Sequence, residues 1–346
     1  MRIPFFRRWS VWMAGLAGLL LTAGAADSLP GGRRTLPLEW NGEWIGHGVA
    51  FSPYRDGEAP DRTPPTEAEI LADLRLVARY WKLIRLYELT PATGRTLALI
   101  RREHLPLHAI IGAWVTADRT PAEQAKNRAE IDGLIRLANA YPDVVLAAAI
   151  GNEACVWWSG YRTEPANIIR WAREVRTAIR QPVTSADDYN FWNKEESRAV
   201  AAELDFIIFH AYALWNSQPL EGAMAWTAAR FEEAARFHPG APIIIGETGW
   251  ATRYDPTRTK PGEEGALMKA EVSDAAQANY LRQHYRWVRE HRVPTILFEA
   301  FDENWKGGGT ATPPQVVEKH WGVFDPGRKA KPAFQAIIRE FYPDTK

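Results

Sequence analysis

The amino-acid sequence predicts an α/β protein that folds as a single (β/α)8 barrel. Eight short apolar segments alternate with amphipathic helical segments after residue 38, an arrangement that fits this barrel over about 300 residues. Several of the apolar segments are nearly continuous, as in Pro242–Ile245, which is typical of parallel strands buried on both faces. A doubly wound sheet is the alternative, but no Gly-x-Gly-x-x-Gly motif follows any of the predicted strands.

The elements follow from apolar periodicity and from helix-start signals. Thr66 with Glu69, and Thr120 with Glu123, form capping boxes, and Pro121 occupies a first helical position. The helix from Thr66 places apolar residues at helical spacing through Trp81. The strands are predicted at 45–51, 83–88, 107–114, 144–151, 182–186, 204–210, 242–246 and 294–299, and further helices at 164–179, 221–237, 274–291 and 331–341.

The barrel is predicted to occupy residues 39–346 as one catalytic domain, because no linker divides the chain. Two polar stretches, 253–270 and 306–319, follow the seventh and eighth strands. We expect them to form walls or lids of a site, because active sites of such barrels lie at the C-terminal ends of the strands. Within the first stretch, Glu263, Glu264 and Lys269 are expected to form a solvated face.

Residues 1–25 are predicted to be a signal peptide. Basic residues at positions 2, 7 and 8 precede an apolar run that ends in Ala23-Gly24-Ala25, a small-x-small pattern. The run is shorter than the ~20 residues of a membrane span, although an uncleaved anchor is the alternative. We therefore expect an exported protein, periplasmic or secreted, without stable membrane insertion once processed, and a monomer.

Composition excludes several classes of function. The 42 basic residues balance the 42 acidic ones, so there is no basic field to hold a nucleic acid. Cys155 is the one cysteine, which excludes an internal disulfide framework and a cysteine zinc site, and we expect it to be a small buried residue. The eight histidines show no paired ligand spacing, and only His210 is expected near the site. Neither a metal nor a cofactor is expected.

Two glutamates carry the predicted chemistry. Glu153 and Glu247 follow the fourth and seventh apolar strands, where a carboxylate is costly unless it is hydrogen-bonded or partly solvated. Paired carboxylates are the machinery of glycoside cleavage. Seven of the 16 tryptophans are placed at strand ends, where flat aromatic faces can stack on sugar rings: Trp114, Trp157, Trp158, Trp192, Trp215, Trp250 and Trp305. Asp187 and Asp188 either bind sugar hydroxyls or cap a turn.

These motifs resemble glycoside hydrolase family 17, the β-1,3-glucanase family, over roughly 42–342. Asp302 replaces the asparagine usual in plant members, which indicates the bacterial branch. The motifs that carry the resemblance are Gly151-Asn152-Glu153, Ile84-Arg85-Leu86-Tyr87, Gly246-Glu247-Thr248-Gly249-Trp250, Phe301-Asp302-Glu303-Asn304-Trp305-Lys306, Phe51-Ser52-Pro53-Tyr54-Arg55-Asp56-Gly57 and His320-Trp321-Gly322.

The resemblance implies a role for each site residue. Glu153 would be the general acid/base and Glu247 the nucleophile of a retaining enzyme, with carboxyl groups about 5 Å apart. Asn152 would bind the sugar 2-hydroxyl, while Tyr212 and Arg85 would hold Glu247 ionised. The residues expected to bind or support the substrate are Asn152, Arg85, Tyr87, Tyr54, His210, Tyr212, Trp157, Trp192, Trp215, Trp250, Glu303 and Lys306.

The expected function is therefore hydrolysis of β-1,3-glucans by double displacement. One alternative is a transglycosylase that elongates or branches glucans, because the same carboxylates serve both reactions and only acceptor-side aromatics and water access decide between them. Trp157, Trp158 and Trp192 are the aromatic residues that favour this alternative. A catalytically silent glucan-binding protein is a minor alternative, since fold does not fix function.

Overall fold

The computed structural model describes residues 32–343, so the predicted signal peptide lies outside the described residues. A short antiparallel hairpin, β1 (Glu39–Trp40) and β2 (Glu43–Trp44), precedes the barrel. Eight parallel strands then close into a barrel in chain order, with the last strand paired to the first. They are β3 (His47–Ala50), β4 (Leu83–Leu86), β5 (His108–Ala113), β6 (Val145–Asn152), β7 (Val183–Asp188), β8 (Phe206–His210), β9 (Ile243–Thr248) and β10 (Thr295–Leu297).

The predicted (β/α)8 barrel is thus confirmed, and each predicted strand corresponds to one barrel strand. Within residues 32–343, no helix has the length and apolarity needed to cross a membrane. The helices are α1 (Glu67–Val77), α2 (Pro91–Arg102), α3 (Pro121–Ala140), α4 (Pro165–Ala178), α5 (Tyr189–Trp192), α6 (Glu196–Ala202), α7 (Ala223–Phe237), α8 (Glu264–Leu267), α9 (Asp274–His291) and α10 (Pro332–Phe341).

Both predicted capping boxes form. The Thr66 and Thr120 side chains each accept a hydrogen bond from the backbone of the glutamate three residues later, whose carboxylate bonds back. Helix α1 ends four residues before Trp81, which packs flat against Phe334 of α10 instead of continuing the helix. Four helices were not predicted: α2, α5, α6 and α8.

Small and branched side chains fill the barrel interior. Its core combines alanines of β3, β6 and β7 with larger residues such as Phe206 and Ile208, so that layers from neighbouring strands interdigitate. Gly246 of β9 is required by this packing, because a Cβ atom there would lie 2.0 Å from Cγ2 of Ile208 and 3.0 Å from Nη1 of Arg85. The glycine thereby allows the Arg85 side chain to pass beneath the end of β9.

Two long segments stand above the C-terminal ends of the strands, as predicted for 253–270 and 306–319. The first contains α8, and the second contains two 3-10 turns, Gly309–Ala311 and Val317–Lys319. The buried ammonium of Lys319 donates to the carbonyls of Gly309, Thr312 and Pro313 at 2.7, 3.2 and 3.1 Å. These bonds hold the second segment in a compact fold against the barrel.

Candidate active site

A cavity of about 890 Å³ opens at the C-terminal end of the barrel. Most of the predicted site residues line it: Tyr54, Tyr87, Asn152, Glu153, Trp157, Tyr212, Trp215, Glu247, Glu303 and Lys306. Arg85 and His210 lie just beneath its floor, where both are buried. Trp192 and Trp250 do not reach it.

The two predicted catalytic glutamates converge in this cavity. Glu247 lies near the end of β9, and Glu153 directly follows β6 in a left-handed conformation with φ of 50°. A carboxylate oxygen of Glu153 lies within 4.8 Å of one of Glu247. This separation matches the close carboxyl spacing of retaining glycosidases, about 5–5.5 Å, and leaves little room for a water molecule between them.

The carboxyl group of Glu247 is held by donors that favour its ionised form. Tyr212 donates from Oη to Oε2 at 2.8 Å, and Arg85 donates from Nη1 to Oε1 at 3.3 Å, as predicted for this pair. Burial raises the pKa of Glu247, while Arg85 and Tyr212 oppose the rise. The phenol of Tyr87 lies close enough for Glu247 to raise its pKa further, although burial is the larger cause.

Glu153 is placed so that it retains its proton. Burial raises its pKa well above the ordinary value, and repulsion from Glu247 and Asp188 adds to the rise. The two glutamates therefore stand in contrasting environments: cationic and phenolic donors surround Glu247, whereas no arginine or lysine contacts Glu153 among the described residues. This difference separates an acid from a nucleophile on physical grounds.

His210 connects Arg85 to Glu153 through a defined tautomer. Its Nε2 atom lies 2.8 Å from Nη1 of Arg85, and its Nδ1 atom lies 3.0 Å from Oε1 of Glu153. Because a guanidinium only donates hydrogen bonds, Nε2 must accept and the ring proton must be on Nδ1. Burial, with the charge of Arg85, lowers the pKa of His210 well below its ordinary value. The ring is thus neutral and donates to Glu153.

The donor atoms of Glu153, His210 and Glu247 lie within 4.8 Å of one another, a spacing that a metal ion could bridge. The surrounding charge argues against that use. Nη1 of Arg85 contacts His210 Nε2 at 2.8 Å and Glu247 Oε1 at 3.3 Å, so a permanent cation already binds two of the three candidate ligands. A second cation there would be repelled, and the cluster suits acid–base chemistry better than metal binding.

Arg85 also orients Asn152. Its Nη2 atom donates to Oδ1 of Asn152 at 2.6 Å. The amide oxygen of Asn152 therefore accepts its hydrogen bond from Arg85, and Nδ2 is the amide atom that can donate to a ligand in the cavity. This geometry is compatible with the predicted contact to a sugar hydroxyl.

A second charged cluster forms one wall of the cavity. Lys306 Nζ forms ion pairs with Glu299 and with Glu303, the latter at 2.7 Å from Oε2. Oε1 of Glu303 accepts hydrogen bonds from the Ser52 hydroxyl and, at 2.8 Å, from Nε1 of Trp305. The predicted supporting pair of Glu303 and Lys306 thus exists, with Glu299 as an additional member.

The aromatic residues divide into a lining group and a buried group. Trp157 and Trp158, in the loop after β6, are 71% and 46% exposed at the cavity rim. The other tryptophans that line the cavity are Trp114, Trp215, Trp305 and Trp321.

The predicted substrate-binding role is wrong for two tryptophans, Trp192 and Trp250, because both belong to the protein interior. Trp192 is fully buried and donates from Nε1 to the carbonyl of Ile208 at 2.9 Å. Trp250 is 1% exposed, stacks on Tyr280 and donates to the carbonyl of Glu271. In both cases the indole packs behind the strands, so it stabilises the barrel wall and cannot contact a ligand in the cavity.

Sequence reasoning left Tyr161, Glu299 and Glu318 without a site role, yet all three line the cavity. Tyr161 packs against Trp114 and donates to the carbonyl of Asn152 at 2.9 Å. Glu299 lies just beyond the end of the eighth strand. An acidic residue at the end of an apolar strand is the signal that identified Glu153 and Glu247, and the same signal could have identified Glu299 from the sequence. Glu318 lies in a long loop, where spacing carries no such signal.

The acidic pair Asp187 and Asp188, at the end of β7, holds the loop that carries Glu153. Asp187 is buried and accepts hydrogen bonds from the backbone of Cys155, at 2.7 Å, and of Asp188. Asp188 caps α5 through Asn190 and also lines the cavity. Burial raises the pKa of Asp187 to about 8 and that of Asp188 to about 6. Cys155 is buried as expected, and burial raises the pKa of its thiol.

Comparison with known proteins identifies the family. The family model described as the BtgE/BtgC glycoside hydrolase domain matches residues 48–322, which is most of the chain. The chain belongs to this glycoside hydrolase family. The predicted resemblance to β-1,3-glucanases is confirmed at the level of the family.

Relatives with assigned names support the same grouping. This glycoside hydrolase is 23% identical to a glucan 1,3-β-glucosidase of Arthroderma benhamiae, over 79% of this chain and 86% of the relative. It is 24% identical to a glucan 1,3-β-glucosidase of Schizosaccharomyces pombe, over 76% and 79%. Against the glucan endo-1,3-β-glucosidase btgC of Emericella nidulans the identity is 24%, over 80% of this chain and 43% of that longer protein.

Solved structures share the fold of this glycoside hydrolase. An endo-laminarinase from Formosa superposes with a TM-score of 0.73 at 23% identity, covering 86% of this chain and 88% of that one. A family 17 β-1,3-glucanosyltransferase from Rhizomucor miehei gives 0.65 at 21% identity, covering 83% and 95%. The similarity supports the same barrel for all three proteins.

Proposed function

We propose that the protein is a retaining β-1,3-glucan hydrolase, with Glu247 as the nucleophile and Glu153 as the general acid/base. The observation that carries this proposal is the pair of carboxyl groups within 4.8 Å: Glu247 accepts hydrogen bonds from Arg85 and Tyr212, whereas Glu153 lies among acidic groups with the neutral His210 ring as its donor. The linkage is proposed from the names of the relatives, several of which act on 1,3-β-glucan.

In the first step, an oxygen of Glu247 attacks the anomeric carbon while Glu153 donates its proton to the departing glycosidic oxygen. The carbon–oxygen bond of the glycoside breaks as the glycosyl ester with Glu247 forms. The negative charge of Glu247 is consumed, and Glu153 becomes a carboxylate. The His210 Nδ1–H donor then stabilises that carboxylate at Oε1, because the neutral ring keeps its proton.

In the second step, Glu153 removes a proton from a water molecule that attacks the same carbon. The ester bond to Glu247 breaks, Glu247 regains its charge, and Glu153 regains its proton. Two displacements restore the original configuration at the anomeric carbon. Tyr212 and Arg85 favour departure of the carboxylate, since both bind its ionised form.

The rim tryptophans carry the second candidate function, a transglycosylase. Trp157 and Trp158 expose large aromatic faces beside Glu153, where an incoming sugar hydroxyl could replace the water of the second step. A platform that holds a sugar at this position would favour transfer over hydrolysis. The enzyme would then release products longer than its substrate.

Export and oligomeric state complete the proposal. We propose that residues 1–25 direct the protein out of the cytoplasm as a signal peptide, and that the mature chain acts as a soluble monomer on extracytoplasmic or cell-wall glucan. N-terminal sequencing of the exported protein and light scattering of the purified chain test these two points. A retained N-terminus or a stable dimer would contradict them.

The decisive experiment incubates the mature protein with an end-labelled β-1,3-gluco-oligosaccharide and identifies the products by mass. Shorter products alone support hydrolysis, and longer products support the transglycosylase. Glu247→Ala should abolish cleavage, and added azide should restore release of a glycosyl azide of inverted configuration. Glu340→Gln, in an exposed ion pair of α10, is the control with unchanged activity. Binding without turnover would support the silent-protein alternative.

A further inference from the structure

A second cavity, of about 870 Å³, adjoins the active-site cavity at the same end of the barrel. Glu88, Trp114 and Trp305 line both cavities, so these three residues form the junction between them. Much of the second cavity is lined by the connections after β3 and β10, which are joined by a hydrogen bond from Nδ2 of Asn304 to Oδ1 of Asp56 at 2.6 Å. The two cavities therefore continue into one another at the junction.

A buried staple fixes the junction on the side of β4 and β5. Oε2 of Glu130, in α3, accepts hydrogen bonds from the backbone N–H groups of Leu89, at 3.2 Å, and of Trp114, at 2.7 Å. The residue after Glu88 is thereby tied to the residue that carries the Trp114 indole. Glu88 and Trp114 thus stand side by side at the ends of neighbouring strands.

Trp305 is fixed on the side of β10. Its ring packs edge-on against Tyr54, with the ring centroids 5.9 Å apart, and its Nε1 atom donates to Glu303 at 2.8 Å. Tyr54 donates from Oη to Oγ1 of Thr90, two residues beyond Glu88, at 2.9 Å. The junction therefore presents two aromatic side chains and a carboxylate in a fixed arrangement, so that little conformational freedom is lost when a ligand binds.

The carboxylate of Glu88 is available to a ligand. The side chain is half-buried, and within residues 32–343 it forms neither a hydrogen bond nor an ion pair, while neither oxygen is enclosed by protein atoms. Burial raises the pKa of Glu88 to about 7, and repulsion from Glu130 adds to the rise, so a donor from a ligand would stabilise the ionised form. The other carboxylates of the second cavity already have protein partners: Asp56 with Asn304, Glu58 with the backbone of Arg55, and Asp61 with Arg62.

The second cavity and the rim tryptophans lie on opposite sides of the barrel mouth. In the closed barrel, β10 and β6 are four strands apart in either direction; Trp305 follows β10, whereas Trp157 and Trp158 follow β6. The active-site cavity, which contains Glu153 and Glu247, extends from one side to the other. A glucan chain that crosses the mouth therefore has room for sugar units on both sides of the bond that is cleaved.

We propose that the second cavity extends the substrate groove, and that Glu88 binds a hydroxyl group of a glucosyl unit that rests against Trp114 and Trp305 at the junction. This inference rests on the proposed glucan-cleaving function and deepens it, because it specifies the substrate as an uncharged chain long enough to fill both cavities. An anionic substituent on that unit would be repelled, since Glu88 has no ion pair in the described part of the chain.

The first test compares kcat/KM for β-1,3-gluco-oligosaccharides of increasing length. In the wild type, kcat/KM should rise until the chain reaches the junction, which defines a short and a long substrate. Glu88→Leu should lower the long-to-short ratio of kcat/KM about 10- to 100-fold, the size of a hydrogen bond that involves a charged group. A wild-type ratio in Glu88→Leu, or a wild-type enzyme for which longer chains bring no gain, would overturn the proposal.

Glu103→Leu is the matched control. Glu103 is also a half-buried glutamate and directly follows α2, the helix after Glu88, but it pairs with Arg75 at 3.1 Å and lines neither cavity. We expect Glu103→Leu to keep the wild-type ratio of kcat/KM. An equal fall in this variant would attribute the effect of Glu88→Leu to disruption of the connection and would overturn the proposal.

Glu88→Gln, which keeps the shape of the side chain, gives a second measurement if Glu88→Leu does not fold. At pH 8 the wild type should cleave carboxymethylated β-1,3-glucan less efficiently than the neutral glucan, and Glu88→Gln should narrow this difference about 3- to 10-fold, because one repelling charge is removed. An unchanged difference would overturn the proposal while cleavage of neutral glucan stands. Absence of cleavage of every β-1,3-glucan by the wild type would instead refute the proposed function, and this inference with it.

Discussion

Tyr212→Phe is the sharpest test of how Glu247 is kept ionised. The substitution removes a single hydroxyl, which donates to Oε2 of Glu247 at 2.8 Å inside the barrel. A hydrogen bond to a charged group contributes about 1.5–3 kcal/mol, and each 1.4 kcal/mol is a factor of about ten. Loss of the bond raises the pKa of Glu247, so that the acidic limb of the kcat/KM profile moves to higher pH. On that limb, we expect kcat/KM to fall about 10- to 100-fold.

The assay is kcat/KM for a β-1,3-gluco-oligosaccharide, measured across the acidic and neutral range. Tyr280→Phe is the matched control, because this phenol is also buried and bonds to the hydroxyl of Thr248, one residue beyond Glu247, at 2.6 Å. It should lower thermal stability as much as Tyr212→Phe while leaving the acidic limb in place. A Tyr212→Phe enzyme with the wild-type acidic limb would refute the role of the Tyr212 hydroxyl in keeping Glu247 ionised.

Three further expectations follow from other contacts. Because the pKa of Glu153 is raised in the folded protein, ionisation of Glu153 lowers the stability of the protein as pH rises. Glu153→Gln removes this ionisation and should raise the melting temperature at pH 8 by roughly 2 °C or more, while it abolishes cleavage. A melting temperature below that of the wild type at pH 8 would contradict this expectation. Glu264→Gln breaks the ion pair of buried Glu264 with the partly exposed Arg258 and should destabilise the protein by about 1.5–3 kcal/mol in urea titrations; a loss under about 0.5 kcal/mol would show the pair to be dispensable. If transfer products form, Trp157→Ala should reduce their share relative to hydrolysis about 5- to 10-fold by mass analysis, since an exposed aromatic platform is lost; an unchanged ratio would place the acceptor elsewhere.

The barrel can be predicted because each of its strands has a strong local signal. Buried parallel strands are apolar throughout, and the capping boxes at Thr66 and Thr120 mark helix starts directly. Helix α2 lacks such a signal because its sequence combines Gly94 with threonines, which have weak helix propensity, so that only packing against its neighbours stabilises it. Short helices such as α5 have too few residues for a period to be recognised.

The catalytic pair is accessible to sequence reasoning because a charged residue at the end of an apolar strand is itself unusual. The role of an aromatic residue at a strand end is not accessible in the same way. Trp157 and Trp192 have similar sequence settings, yet one is exposed at the rim and the other is fully buried. The difference depends on which way the chain turns after the strand, and that direction is determined by contacts with distant residues.

Charge in loops is difficult to interpret from sequence for a related reason. Glu264 is predicted on a solvated face, and this prediction is wrong: the residue is 3% exposed and pairs with Arg258 at 2.8 Å. Local composition does not distinguish a solvated acid from one whose partner folds over it. Similarly, the short connection between Arg85 and His210, which assigns the histidine tautomer, joins residues from β4 and β8 and has no counterpart in local sequence.

The way in which Lys319 binds the carbonyls of its own loop has a consequence for engineering. Because Lys319 donates to the carbonyls of Gly309, Thr312 and Pro313, the turn at 309–313 is held by a cation from its own segment. It could therefore be exchanged as a module between related enzymes to redesign the entrance of the cavity, provided that the lysine and its three carbonyl partners are transferred together. Chimaeras limited to this turn would allow the entrance to be varied while Lys306, Glu153 and Glu247 are kept.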